Sequence, residues 1–316
     1  MAEPHFLESP TPALRPPLRN WQLFAIAVFV WGTTWHAIVY QLAQTTPEFA
    51  VALRFSAAGA GVLAWSAWRG ERMRFSVSEH ARLALQGVFM YSVSYLCVYH
   101  AERHLPSGLV AVGYSASPLI LGVAAWALWR TPLTPRFVLG GVLGVAGVSL
   151  VFWPEFARAG RDASTSLGAA FTVGAVLLSA VGSLIASRNK PSGLPFWPAL
   201  GYGMAYSAVL SWAFVLGSGQ PLHWPDSTSW WGSFAYLAIF GSVAAFAAYL
   251  SLQQRLGPGP ASTISVATPV VALAVSTAFE GYRPDLWTGA GVVLAIAGHL
   301  LILGFGFGHV AAPAPE

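Results

Sequence analysis

Ten apolar stretches, each about long enough to cross a bilayer as a helix, run along this chain of 316 residues. They lie near 22–41, 48–68, 83–100, 107–129, 136–153, 167–186, 196–217, 230–250, 259–279 and 286–307. A hydrocarbon core about 30 Å thick takes about 20 residues of helix. Ten such segments use most of the chain and leave little for a soluble domain. Composition agrees, because 55% of the residues are hydrophobic and 9% are charged, against roughly 25% charged in an ordinary soluble domain. Such a chain cannot cover a water-facing surface, and it is too hydrophobic to be disordered. The net charge of +4 rests on few charges in total, so nucleic acid is not an expected partner and the lipid bilayer is. A single cysteine, Cys97, excludes an internal disulfide and a zinc site built on several thiolates. The expected fold is an all-α membrane protein of ten transmembrane helices.

Residues 1–21 are rich in proline and read as a cytoplasmic tail, as do 308–316. The first apolar run is too long for a signal h-region and lacks a prompt cleavage site, so it reads as an uncleaved span. With the N-terminus in the cytoplasm, Arg15, Arg19, Arg69, Arg72, Arg74, Arg82, Arg130, Arg136, Arg188, Lys190 and Arg255 fall inside. Arg103, Arg158, Arg161 and Arg283 fall outside. That bias places both termini in the cytoplasm of a bacterial-type inner membrane. Trp21, Trp65, Trp68, Trp129, Trp153, Trp197, Trp224, Trp230 and Trp287 sit near helix ends, where an aromatic belt would lie.

The chain repeats itself. When the stretch from His104 to Pro118 is laid on that from Arg255 to Pro269, Leu105 meets Leu256, Gly108 meets Gly259, Ala116 meets Ala267 and Pro118 meets Pro269. Ser117 stands opposite Thr268, and further on Gly140 meets Gly291 and Gly147 meets Gly298. The expected units are repeat one over 22–153, an external linker over 154–166 and repeat two over 167–307. Five spans per repeat is an odd number, so the second repeat enters the membrane from the opposite side. Inverted-topology repeats suit a transporter, since two similar halves can rock about a site at the midplane. Pro118 and Pro269 remove a backbone donor mid-span. The Ser117 and Thr268 hydroxyls are positioned to satisfy freed carbonyls. The matched pair reads as a hinge or as the neighbourhood of a site.

The run Val30-Trp31-Gly32-Thr33-Thr34-Trp35, then Pro47 and Ala52-Leu53-Arg54-Phe55, and the two proline-bearing helices each followed by a glycine-rich one, resemble the EamA-type drug/metabolite transporters over both repeats. The resemblance implies ten helices and export or exchange of metabolites. The nearest branch exports aromatic and small neutral amino acids. It also implies an acidic residue after each proline-bearing helix. Glu280 occupies that place in the second repeat, whereas the first reads Trp129-Arg130-Thr131-Pro132.

Several residues are candidates for a substrate site. Tyr91, Tyr95 and Tyr99 recur at helical spacing and share a face. A phenol facing lipid would lack a partner, so this face should meet protein or a watery cavity. Trp31 and Trp35 share a face of the first span, too deep for the belt. Tyr114 and Ser115, Ser262 and Ser265, and Ser242 add hydroxyls. Ser179 and Ser183 read either as cavity hydroxyls or as helix glue. Phe240 and Phe246 read first as helix packing and second as a substrate clamp. Together these residues outline an aromatic, hydroxyl-lined and almost uncharged chamber. It suits a neutral zwitterion with an apolar side chain, while multidrug efflux in the same fold is the alternative.

The remaining polar residues read as structural. Arg54 is expected near the interface, snorkelling or paired with Glu48. Glu102, Arg103 and His104 read as a solvated external turn, and His36 and His299 as buried structural histidines. With no acid expected in a span core, facilitated export without an ionisable carrier is the default. There is no zinc-protease or nucleophile-elbow motif, and no paired carboxylate within the spans, so an enzyme, a metal and a cofactor are not expected. The faces bearing Gly140, Gly141, Gly144, Gly147, Gly291 and Gly298 either pack internally or make a homodimer.

Overall fold

The computed structural model describes residues 18–130, 134–159, 163–219 and 222–303. Residues 1–17 and 304–316 of the tails, Arg161, and the side chains of Trp129, Arg158 and His299 lie outside the described residues. Among the described residues ten helices build the bundle: α1 (Asn20–Leu42), α2 (Pro47–Trp68), α3 (Val77–Glu102), α4 (Ser107–Leu128), α5 (Pro135–Ala159), α6 (Ala163–Ser187), α7 (Phe196–Gly217), α8 (Thr228–Leu256), α9 (Pro258–Phe279) and α10 (Leu286–Leu303). No strand occurs among the described residues.

Local chemistry sets the helix starts. Thr46 caps α2 by accepting from the Phe49 amide at 3.3 Å, and Pro47 occupies the first position, where its missing N–H costs nothing. Ser76 and Glu79 close a reciprocal capping box at the start of α3, and Ser227 caps α8 through the Trp230 amide at 3.2 Å.

The interior of several helices departs from regular geometry in a way the periodicity of the sequence does not reveal. In α4 the ladder tightens to a 3₁₀ turn over Tyr114–Ala116, just before Pro118. In α9 the proline is satisfied differently from expectation. Thr268 Oγ1 donates to the Ile264 carbonyl at 2.8 Å. The Ser265 carbonyl, which Pro269 cannot engage, instead lies 3.4 Å from the Ser115 hydroxyl of the other repeat. The matched helices α3 and α8 each contain a π-helical stretch, Gly87–Ser92 and Leu237–Ala244. Such stretches insert an extra residue per turn and often lie at functional sites.

The packing has the symmetry that the repeat predicts. A side chain on Gly147 would stand 2.5 Å from the Gly291 carbonyl, and Gly140 lies equally close against Gly298. Exchanging the matched pairs, Gly140 with Gly291 and Gly147 with Gly298, returns the same two contacts. Helix α5 therefore runs antiparallel to its counterpart α10, backbone against backbone. The same holds for α2 and α7, where Gly59 faces Ala205 and Gly201 faces Leu63. In both pairs a helix of one repeat runs opposite to its equivalent in the other. These glycines pack within the chain, and Gly144 presents its backbone to Gly298 while a side chain added to it would meet open space.

Several expectations are corrected. Trp230 is no belt residue: it is 0% exposed, bonds to Thr45 Oγ1 at 3.0 Å and stacks on Phe234. Trp21, Trp65, Trp68, Trp153, Trp224 and Trp287 are exposed. Glu48 pairs with His100 at 2.8 Å and not with Arg54. The turn after α3 is only partly solvated, because both Glu102 carboxyl oxygens are buried and His104 bonds to Ser164 Oγ at 2.8 Å. Turning the same face inward as Val98 one turn earlier is enough to bury Glu102.

Candidate functional site

A cavity with about 820 Å³ of empty space, counting its mouth, lies between the two repeats. Helix α1 gives it Trp31, Thr34, Trp35 and Ile38; α3 gives Met90, Tyr95 and Val98; α4 gives Tyr114, Ser117 and Leu121. From the second repeat come Ser179, Ala180 and Ser183 of α6, Phe246 and Tyr249 of α8, and Ser262, Ser265 and Thr268 of α9. Helix α2 contributes Arg54.

The aromatic wall is braced by ring contacts. Trp31 meets Phe246 edge-on at 5.1 Å and Tyr249 at 5.5 Å. Trp35 meets Tyr114 at 5.3 Å, and Tyr95 meets Phe55 edge-on at 5.0 Å. The Trp31 indole donates to the Gly241 carbonyl at 3.2 Å, within the π-helical stretch of α8. The Trp35 indole N–H is buried and has no acceptor. Hydroxyls are mostly tied to one another: Tyr114 lies 3.3 Å from Ser179, and Ser183 lies 2.7 Å from Tyr249 while accepting from Gln253 at 2.6 Å.

Arg54 is the largest departure from the sequence reading. It is 1% exposed and belongs to the cavity wall. Its Nε donates to Ser242 Oγ at 2.8 Å, its Nη1 lies 3.4 Å from the Tyr99 hydroxyl, and its guanidinium carbon stands 4.8 Å from the centre of the Tyr95 ring. No carboxylate pairs with it among the described residues. A side chain on Gly241 would come within 3.0 Å of Nη2, so the bare backbone of the π-helical stretch is what admits the guanidinium. A guanidinium presents five N–H donors, and those on Nη2 have no protein acceptor. The sequence did carry one signal: a lone arginine inside a span is a functional-site candidate by its cost alone.

Of the fourteen expected site residues, Trp31, Trp35, Tyr95, Tyr114, Ser179, Ser183, Phe246, Ser262 and Ser265 line the cavity. The other five do not. Tyr91 is buried behind the wall and accepts from Gln86 at 3.0 Å. Tyr99 donates to Gln41 at 2.6 Å, Ser242 serves Arg54, and Ser115 crosses to α9. Phe240 is 48% exposed beside Tyr236. Of the two prolines, Pro269 is buried within α9, and each lies next to a cavity residue, Ser117 or Thr268.

Outside the cavity lining, a hydrogen-bonded cluster around Glu280 forms a latch between the repeats. Glu280, just past α9, accepts from the Ser107 amide at 3.2 Å, from the Ser107 hydroxyl, and from Ser276 Oγ at 2.9 Å. His36 Nδ1 on α1 lies 2.9 Å from the same carboxylate. Burial pushes the Glu280 carboxyl up, but the bonds from Ser107, His36 and Ser276 outweigh it and hold it below the ordinary carboxylate range. The latch ties α1 and α4 of one repeat to α9 of the other. Among the described residues no cluster of three or more His, Cys, Asp or Glu is placed to hold a metal.

Comparison with known proteins gives a consistent result. A family model described as the EamA-like transporter family matches twice, over residues 21–153 and 166–304. An Escherichia coli K12 protein called uncharacterized inner membrane transporter YedA is 27% identical over 86% of this chain and 87% of its own length. An uncharacterized transporter of Archaeoglobus fulgidus is 24% identical over 90% of this chain and 99% of its own length. The protein PecM of Dickeya dadantii is 24% identical over 79% and 80% of the two chains. A crystal structure at 19% identity superposes with a TM-score of 0.67, covering 90% of this chain and 96% of the other, which speaks for the fold alone.

Proposed function

Because this chain belongs to the EamA-like transporter family, we propose that it exports small neutral amino acids with aromatic or other hydrophobic side chains by alternating access. Both termini are assigned to the cytoplasm of a bacterial-type inner membrane, with substrate moving outward. The observation that carries the reading is the cavity between the repeats, walled by Trp31, Trp35, Tyr95, Tyr114 and Phe246 and holding the unpaired Arg54. Aromatic faces accept an apolar side chain. The free guanidinium N–H groups match a carboxylate, which an amino acid supplies. Serine and threonine hydroxyls on α4, α6 and α9 are within the same wall for the ammonium end.

Arg54 changes the argument about charge. The almost uncharged chamber expected from the sequence offered no cation to an anionic group, and a chamber lined by Arg54 offers one. A single guanidinium among apolar walls suits one carboxylate and leaves a multiply charged phosphate largely uncompensated. The same charge disfavours lipophilic cations, which weighs against multidrug efflux. Counterflow into proteoliposomes, run over amino acids, sugars, nucleotides and lipophilic cations, tests the proposal. Counterflow of aromatic or hydrophobic amino acids is expected; flux of no amino acid above protein-free vesicles eliminates the substrate assignment.

A further inference from the structure

Two carboxyl groups, Glu280 of the latch and Glu102 at the end of α3, are treated very differently by the fold. Glu280 is saturated with donors, as described, and its charge is supported. Glu102, the last residue of α3, has both carboxyl oxygens buried and accepts from no protein donor. It lies close enough to Glu280 and Arg54 for its charge to interact with both. It lies one turn beyond the cavity residue Val98 on the same helix face. Burying an ionised carboxylate without partners is costly enough that such groups neutralise, and a second negative charge beside Glu280 adds to that cost. The neutral acid is the form this pocket accepts.

We infer that Glu102 is a proton-binding site, and that it gives up its proton when the Glu280 latch between the repeats opens. The groups whose charge acts on it or that its charge acts on are Arg54 from α2, Tyr99 from its own helix, Tyr114 from α4 and Glu280 beyond α9. From α1, His36 reaches Glu280. In the closed arrangement the only cation among these, Arg54, is not paired with Glu102. Parting α9 from α1 and α4 admits water to the pocket. Glu102 can then ionise, with the proton passing to that water and on to bulk. Opening of the latch and proton release are thereby one equilibrium. A transport cycle that opens and closes this latch consequently moves a proton on and off Glu102, in place of the carrier-free facilitated export expected from the sequence.

The test uses the full chain and no substrate, so its outcome is independent of which molecule is carried. Infrared difference spectra of the purified protein between acidic and alkaline pH should show a carboxylic-acid C=O band that is lost in Glu102→Gln. The band should persist, shifted, in Glu102→Asp. In parallel, spin labels on cysteines replacing the exposed Arg103 and Arg283, in a Cys97→Ala background, report the separation across the latch. Above the acid range in which Glu280 itself titrates, that separation should lengthen as pH rises in the parent and in Glu102→Asp, and stay at the short, closed value in Glu102→Gln. Circular dichroism and the Asp variant separate loss of folding from loss of titration. A C=O band unchanged in Glu102→Gln, no titrating band in the parent, or a label separation that above that acid range does not depend on pH or keeps its pH dependence in Glu102→Gln each overturns the inference.

Discussion

The guanidinium carbon of Arg54 stands 4.8 Å from the centre of the Tyr95 ring, so a buried cation is held against an aromatic face in the wall of the cavity. Cation–π contact and two hydroxyl partners do not replace hydration. An incoming carboxylate completes the shell that water would otherwise supply. This is the physical reason to place the polar end of a substrate at Arg54 and its apolar body toward Trp31, Trp35 and Phe246.

Arg54→Gln should therefore weaken binding of an aromatic amino acid far more than binding of its methyl ester. Hydrogen bonds to charged groups contribute about 1.5–3 kcal/mol, which is roughly tenfold to a hundredfold in affinity. Equilibrium binding of radiolabelled ligand to the purified protein measures it. Equal losses for acid and ester would remove the carboxylate from Arg54.

Tyr95 and Tyr91 should separate function from packing. Tyr95→Ala enlarges an existing cavity and is expected to lower flux while the melting temperature changes little. Tyr91→Phe lies behind the wall and removes the bond from Gln86. It should leave flux intact and destabilise the chain by about 1 kcal/mol, the usual range for such a bond. Flux assays with thermal melts in detergent decide the matter.

Gly147 and Gly144 should differ sharply despite sharing a helix. An added methyl at Gly147 meets the Gly291 carbonyl at 2.5 Å, whereas at Gly144 it meets nothing within 4 Å. Gly147→Ala is expected to cost about 1–3 kcal/mol through overpacking, with Gly144→Ala close to neutral. Thermal unfolding of the two variants side by side is the measurement.

The Glu280 latch carries a pH dependence of definite sign. Its carboxyl is held below the ordinary range, and the ordinary glutamate value is about 4.3. The latch contribution is therefore complete above that value and is lost as pH falls through the lower folded value. Melting temperature should drop on that acid limb in the parent. In Glu280→Gln it should start lower at neutral pH and lack this part of the acid dependence.

Much of the fold was legible because spanning a membrane leaves a local signature. Span length, the Pro118 and Pro269 match and the glycine register were all visible in the chain, and the symmetric contacts of Gly140 with Gly298 and Gly147 with Gly291 follow from that register. The site was legible only in outline. Helical spacing put Tyr91, Tyr95 and Tyr99 on one face, but spacing does not say that Gln86 and Gln41 take the outer two hydroxyls. The π-helical stretches also escaped detection, since one extra residue in a turn leaves no mark on an all-apolar pattern.

Sequence alone determined ten lipid-compatible helices in two opposed repeats, because hydrophobic length and internal similarity are properties of neighbouring residues. The fate of the charges was decided elsewhere. Arg54 lies in the cavity because Gly241 and Ser242, far along the chain, leave room for it and bond it. Glu102 was buried and left without a donor while Glu280 collected Ser107, Ser276 and His36. A charged group's cost depends on every neighbour within a few ångströms, and only the folded chain says which neighbours those are.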